Sequence, residues 1–237
     1  MKTIAVVTVA AAVGLGCACA KQTEGAAVAG EPTTSATAQR STSQTSSTSA
    51  PSTLSPGAGF GVVETTRRPL EPMAQTCEPA GREPGSQQVS FVQGGRPGTP
   101  IVELLAPEHW TLAPSAGNPT LNLTGPDGLS GTVTVAPTEL EPAKAFDKYS
   151  DDAMDKAPIA TVSVLPAELC GYSGQKLMGT WSGSGSGAPV EYRDRIAHVW
   201  TNSASYLVAI HLEGPQGTPG FAAAEDLMMR DFGIQIP

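Results

Sequence analysis

The chain is poor in the residue types from which most catalytic and metal sites are built. It has three histidines and four cysteines among 237 residues, and aromatic residues make up only 5%. No histidine lies in an HExxH motif, and none pairs with a cysteine at the spacing of a zinc site. The sequence therefore predicts no metal site and no cofactor.

The chain also lacks an excess of basic charge. Residues 75–237 contain 9 Lys or Arg and 18 Asp or Glu, which gives this part a net charge of −9. Nucleic-acid binding relies on cationic side chains against phosphates, and electrostatic docking on anionic lipids needs the same sign of charge. The composition argues against both, so we expect no nucleic-acid partner.

No apolar run is long enough to cross a membrane. The longest N-terminal run, residues 4–16, has thirteen apolar or small residues after a lysine at position 2. A helix of that length is too short for a bilayer, but it has the length of a signal-peptide core. Residues 1–20 are therefore predicted to be a signal peptide.

Two cleavage sites compete at the end of this signal. Leu15-Gly16-Cys17 is similar to a bacterial lipobox, in which the cysteine is alkylated with diacylglycerol and becomes the first residue. Lipidation at Cys17, with palmitate-type acyl chains, would anchor the chain to the extracytoplasmic face of the cell membrane. The alternative is cleavage after Ala20, which would release a secreted chain that begins at Lys21.

A polar segment follows the signal. Residues 33–55 hold 15 Ser or Thr in 23 positions, and such a segment cannot bury enough apolar surface to offset its ordering entropy. We expect a disordered Ser/Thr-rich tether over residues 21–74 and a single globular domain over residues 75–237.

The two cysteines outside the signal region are Cys77 and Cys170. A pair of cysteines in an exported chain favours a disulfide. Closing a loop of about 90 residues would remove roughly 4 kcal/mol of unfolded-state entropy. The alternative is a pair of buried, unpaired thiols.

Periodicity in the domain predicts an α+β fold. Alternating apolar residues indicate strands, and a 3.6-residue period that starts at Pro142 and stops before Pro158 indicates a helix. The expected architecture is an antiparallel sheet of about six strands with two packed helices. The predicted strands cover residues 100–105, 120–124, 131–136, 161–181 as one run with a break, 190–201 and 206–212, and the second helix covers residues 221–229.

Short motifs resemble a known family. The stretch PIVELLAPEHW at residues 100–110, the helix start Glu141-Pro142-Ala143-Lys144 and the strand–strand–helix ending resemble the mycobacterial LpqN/LpqT lipoprotein family over most of residues 93–237. The resemblance implies a PsbP/Mog1-like α/β/α sandwich and a place in the mycobacterial cell envelope. It also implies an accessory or binding role rather than a clear enzymatic one, and it supplies no catalytic residues.

The sequence around the serines and histidines matches no recognisable hydrolase motif. No serine has the flanking glycines of the G-x-S-x-G nucleophile elbow. His198 and His211 fall on adjacent predicted strands, so a hydrolase that uses one of them with Ser173 or Ser184 remains an alternative. The expectation from the sequence is that the protein is not an enzyme.

Three tryptophans, Trp110, Trp181 and Trp200, lie on or beside predicted strands. They are typical of core or rim packing, but two of them on one uncovered sheet face would form a candidate groove for an apolar ligand or partner. The functional prediction is a tethered, non-enzymatic binding or accessory module with an envelope protein, host protein or apolar ligand as its partner. The alternatives are a carrier of a lipid or glycolipid and an envelope serine hydrolase.

Overall fold

The computed structural model describes residues 60–92, 98–115, 120–183 and 187–237. The predicted signal peptide, the lipidation site at Cys17, the cut after Ala20 and most of the predicted tether lie outside these ranges. The described chain forms eleven strands and two helices: β1 Gln75–Cys77, β2 Ser86–Val92, β3 Ile101–Pro107, β4 Thr111–Pro114, β5 Thr120–Thr124, β6 Ser130–Thr138, α1 Pro142–Met154, β7 Ile159–Pro166, β8 Ser173–Ser182, β9 Val190–Trp200, β10 Ser205–Pro215, α2 Phe221–Met228 and β11 Gly233–Gln235.

The strands form two antiparallel sheets. The larger has the order β4-β5-β6-β10-β9-β8-β7, and the smaller has the order β1-β11-β3-β2. The α+β class, the antiparallel pairing and the two helices are confirmed. The predicted count of about six strands in one sheet is wrong, because the structure has eleven strands in two sheets.

Two physical reasons explain three of the five additional strands, and β2 and β4 are the other two that the sequence did not predict. The run predicted over residues 161–181 contains a turn after Pro166, where Leu169 and Tyr172 bond to each other and the chain reverses from β7 into β8. In addition, β1 and β11 are only three residues long, which is too short for a period of two to be recognised.

One face of the larger sheet packs against the smaller sheet and α2. On β10, Val208, Ile210 and Leu212 are fully buried on this face, at the alternate positions that a strand presents to one side. Helix α2 contributes Phe221 and Met228 to the same apolar core. This shared core holds the two sheets together.

Helix α1 covers the opposite face of the larger sheet, above β7, β8 and β9. Its Phe146 is 1% exposed and packs with Leu177 of β8 and Ile196 of β9. The helix begins at Pro142, where the missing backbone N–H costs nothing, as predicted. Both faces of the central strands are therefore buried.

Residues 60–74 precede the first strand and still contact the domain. The carbonyl of Gly61 accepts a hydrogen bond from the N–H of Gly174, and the side-chain amide of Asn202 bonds both the N–H and the carbonyl of Leu70. Part of the segment that the sequence assigns to the tether is thus attached to the larger sheet. We call residues 60–74 the N-terminal arm.

Neither helix in the described part of the chain is long and apolar enough to cross a bilayer.

Candidate functional site

The three tryptophans of the candidate groove do not meet. Trp110 and Trp181 are buried, and Trp200 at the end of β9 is half-buried. The indole of Trp181 stacks on Tyr192 at 4.1 Å and donates a hydrogen bond to the carbonyl of Ala153. Each tryptophan lines a different cavity, so the structure brings none of the three together.

The predicted disulfide is present. Cys77 of β1 is bonded to Cys170 in the turn between β7 and β8, with their Cα atoms 5.5 Å apart. The bond links the smaller sheet to the larger one, and it closes one side of the cavity that Trp200 lines.

That cavity, which we call the His198 cavity, has a volume of about 290 Å³. The N-terminal arm forms one wall, with Thr65, Arg68 and Leu70. The disulfide turn forms a second wall, and the ends of β8 and β9 bring His198 and Trp200 to the third. Polar and aromatic groups therefore converge in one concave place, as in small-molecule sites.

One polar side chain that lines this cavity, His198, has a buried ring nitrogen whose hydrogen-bonding capacity is unsatisfied among the described residues. The residue is 4% exposed, and its Nε2 donates to the carbonyl oxygen of Leu140 at 2.9 Å. Its Nδ1 is buried and has no partner among the described residues. A buried polar atom without a partner costs about 1–3 kcal/mol, so the position is expensive to maintain.

The protonation state of His198 follows from its surroundings. Burial lowers its pKa below the ordinary value of 6.5, and the backbone hydrogen bond to Leu140, the charge of Glu141 and a weaker interaction with the backbone of His198 itself oppose this shift only in part. The ring is thus neutral at pH 7, with its one proton on Nε2 because a carbonyl can only accept. Nδ1 then carries a lone pair, which can accept a hydrogen bond from an O–H or N–H group.

Ser173 lies directly opposite His198 in the register of β8 and β9. Its hydroxyl donates to the carbonyl of Val63 at 3.1 Å and accepts from the N–H of Val63 at 3.0 Å. The Ser173 hydroxyl therefore donates its hydrogen bond to the N-terminal arm and not to the imidazole of His198. Ser184, the other serine of the hydrolase alternative, lies outside the described residues.

His198 and His211 are far apart. In the pairing of β9 with β10, His198 is opposite Leu207 and His211 is opposite Asp194. Four residues separate these two pairs, which corresponds to about 13 Å along a strand. The two histidines thus belong to different sites.

His211 forms a second polar cluster beneath α1. Its Nδ1 lies 2.6 Å from Asp194 Oδ1, and its Nε2 lies 3.2 Å from Glu213 Oε2. Burial lowers the pKa of His211, but the hydrogen bonds to Asp194 and Glu213 outweigh that effect and leave the pKa raised. Because each ring nitrogen lies within hydrogen-bond distance of a carboxylate oxygen, the form that this cluster stabilises is the imidazolium, which donates on both sides.

The cluster also reaches the helix. The hydroxyl of Tyr149 on α1 donates to Asp194 Oδ1 at 3.0 Å, and burial followed by the charge of Asp194 raises the pKa of that phenol well above 10. This cluster fastens α1 to the sheet. Sequence reasoning missed Asp194 and Glu213 as partners of His211, and the signal that could have found them is the strand register, since residues directly opposite or two apart share one face.

Within the described ranges, no group of three His, Cys, Asp or Glu side chains is arranged to hold a metal ion.

Comparison with known proteins gives partial structural likenesses, two of which are described below. No family model and no curated protein matches the sequence. The crystal structure of LpqN, involved in cell envelope biogenesis of Mycobacterium tuberculosis, is similar with a TM-score of 0.48 and 19% identity, over 63% of this chain and 91% of that one. A structure from Bacteroides thetaiotaomicron VPI-5482 is similar with a TM-score of 0.31 and 11% identity, over 58% of this chain and 48% of that one. At these values, membership of the LpqN/LpqT family and a PsbP/Mog1-like sandwich stay predictions.

Proposed function

We propose that the chain is an extracytoplasmic, non-enzymatic binding module whose binding site is the His198 cavity. The observation that carries the proposal is a cavity lined by His198 and Trp200, where the Nδ1 of His198 is buried without a hydrogen-bond partner among the described residues. Nδ1 has no exposed surface in the structure, so a ligand that donates to it must first open the cavity wall, and the contact would then remove the cost of leaving this atom unpaired. The gain from that contact supports binding at this place rather than at a cavity without an unmet polar group.

The lining specifies the chemistry of the ligand. Nδ1 requires an O–H or N–H donor, and Trp200 and Leu70 add apolar surface to the lining of the same cavity. A volume of about 290 Å³ suits a small group rather than a long acyl chain. The ligand is therefore a compact molecule, or the head of a larger one, with a donor next to an apolar face. The lipid or glycolipid carrier is the form of this proposal in which a chain extends outside the cavity.

The disulfide supports export. Disulfides form and persist in oxidising compartments outside the cytoplasm, and Cys77 is paired with Cys170. Together with the signal-like run at residues 4–16, this supports a place on the extracytoplasmic side. In the same proposal, lipidation at Cys17 anchors the module to the membrane, with release as a secreted chain the alternative.

Mass analysis of co-purified ligand tests the binding site. The full chain is purified from its native cells, extracted with organic solvent, and compared with His198→Gln and Trp200→Ala. The glutamine side chain would keep a donor for the carbonyl of Leu140 while removing the acceptor at Nδ1. His109→Asn, at an exposed turn with φ of 73°, serves as the control.

The expected result is a molecule that co-purifies with the wild type and the control and is depleted at least about tenfold in both cavity variants, which corresponds to a loss of about 1.4 kcal/mol. A molecule retained equally by all four proteins, or no molecule in any of them, would contradict the proposal.

The serine hydrolase is the second candidate, because Ser173 lies opposite His198. Folded protein is treated with a serine-reactive fluorophosphonate, beside Ser173→Ala. The proposal predicts no labelling, since the Ser173 hydroxyl is bonded to Val63 and not to a base. Labelling that disappears in Ser173→Ala would replace the binding module with an enzyme.

A further inference from the structure

Strand β7 forms one edge of the larger sheet. It pairs with β8 on one side, and no described residue pairs with its other side. The strand IATVSVLP is eight residues long and has no charged residue. Ile159 and Leu165 near its ends are 62% and 46% exposed. An uncharged, exposed edge of this length is a template for pairing with another strand.

The other sheet edges differ from β7. Strand β4, at the opposite edge of the larger sheet, has four residues and ends at Pro114, which cannot donate to a further ladder. Strand β1 has three residues, and β2 exposes the polar side chains of Gln88 and Ser90. Short length and proline discourage pairing at β1 and β4. The exposed face of β7 also carries the polar residues Thr161 and Ser163, but unlike that of β2 it has exposed large apolar residues, Ile159 and Leu165, at both ends.

The sequence of β7 is complementary to itself in an antiparallel arrangement. A twofold axis that places Val162 opposite the Val162 of a second copy keeps each pair on one face of the sheet, because the paired residues are separated by even numbers. The pairs are then Val162 with Val162, Thr161 with Ser163, Ala160 with Val164 and Ile159 with Leu165, twice for each unlike pair.

This register covers the exposed apolar side chains. Ile159 of one copy lies beside Leu165 of the other at both ends, so the two most exposed apolar residues of the strand bury each other. Pro158 is opposite Pro166, and the ladder stops there because neither residue has an N–H. Although the chain carries a net charge of −8, no charge lies on the strand to oppose the pairing.

We propose that the protein forms a homodimer in which the two β7 strands pair antiparallel about Val162 and join the two larger sheets into one. The partner is a second copy of this chain. The contact is one pair of eight-residue strands, so the interface is small and the dimer forms in a concentration-dependent way.

Sedimentation equilibrium of the full chain over a wide concentration range tests the dimer. The wild type should rise from the monomer mass toward twice that mass. Ile159→Lys with Leu165→Lys places lysine opposite lysine at both ends and should weaken association by roughly tenfold or more. Ile159→Lys with Leu165→Glu places lysine opposite glutamate and should restore association, which salt then weakens.

Leu112→Lys on β4 is the matched control, because it puts a lysine at a similarly exposed apolar position on the opposite edge. It should associate like the wild type. Circular dichroism and thermal unfolding establish that all variants are folded. A wild type that stays monomeric up to about 1 mM, a concentration that would still reveal a very weak dimer, overturns the proposal. Equal behaviour of the lysine–lysine and lysine–glutamate variants overturns the register.

Discussion

Removal of the His211 side chain should strongly destabilise the fold through the carboxylate that it leaves behind. In the folded protein, Asp194 is 2% exposed, and its Oδ1 accepts hydrogen bonds from His211 and from Tyr149. The substitution His211→Leu replaces the ring with an apolar side chain of comparable size and removes both hydrogen-bond donors and the positive charge. Asp194 would then be a buried charge without a counter-ion.

The magnitude follows from this burial. Removing one partner of a buried ion pair costs about 3–5 kcal/mol, because the remaining charge stays desolvated. Asp194→Asn in the same background removes that charge while its amide oxygen still accepts from Tyr149. The double variant should therefore lose only about 1–2 kcal/mol relative to the wild type, which is less than His211→Leu alone.

Urea unfolding of the wild type, both single variants and the double variant at pH 6, with the disulfide intact, measures these free energies. The expected coupling between the two positions is at least about 2 kcal/mol. Costs that add to within about 0.5 kcal/mol would refute the reasoning, because independent sites behave in that way. A loss below about 1 kcal/mol in His211→Leu would refute it as well, since exposed ion pairs contribute that little.

Three further predictions follow. The pKa of His211 is raised above 6.5 in the folded protein. The stability that its protonated ring contributes is therefore fully present below pH 6.5 and is lost as the pH rises through the folded pKa. Urea unfolding from pH 6 to 9 should show this decline in the wild type and not in His211→Leu. Replacement of Cys77 and Cys170 by serine removes a disulfide between residues 93 positions apart. It should lower the free energy of unfolding, measured in urea, by roughly 4–5 kcal/mol, and a change below about 1 kcal/mol would contradict the chain-entropy account. Arg195→Met should cost about 2–4 kcal/mol in the same assay, because the 1% exposed guanidinium donates to the carbonyls of Ala167 and Glu168; an unchanged unfolding midpoint would show that these bonds contribute nothing.

Much of the secondary structure could be predicted from the sequence. Strict alternation over residues 120–136 predicted the hairpin of β5 and β6, and the position of Pro142 predicted the start of α1. The disulfide followed from the count of cysteines that remain after the signal. The strands and the helix start follow from local sequence patterns, and the disulfide follows because two cysteines remain to pair, so a single sequence is enough to infer these features.

The candidate site was only partly predictable. Trp200 and His198 were named separately, but nothing in the sequence placed them in one cavity with the N-terminal arm. Ser173 and His198 lie opposite each other because hydrogen bonds between β8 and β9 set the register, and a shift by one residue would move every side chain of a strand to the other face. Composition carries no information about register.

The sequence by itself determined the class of fold, the acidic charge of the domain, the absence of recognisable catalytic motifs and the residues available for a disulfide. Only the tertiary structure decided that the strands divide into two sheets, that His198 keeps a buried nitrogen without a partner among the described residues, and that β7 ends a sheet. The physical reason is the separation along the chain of the residues that interact. Periodicity and turn chemistry act between residues a few positions apart, whereas burial and hydrogen-bond satisfaction depend on strands that are distant in the chain.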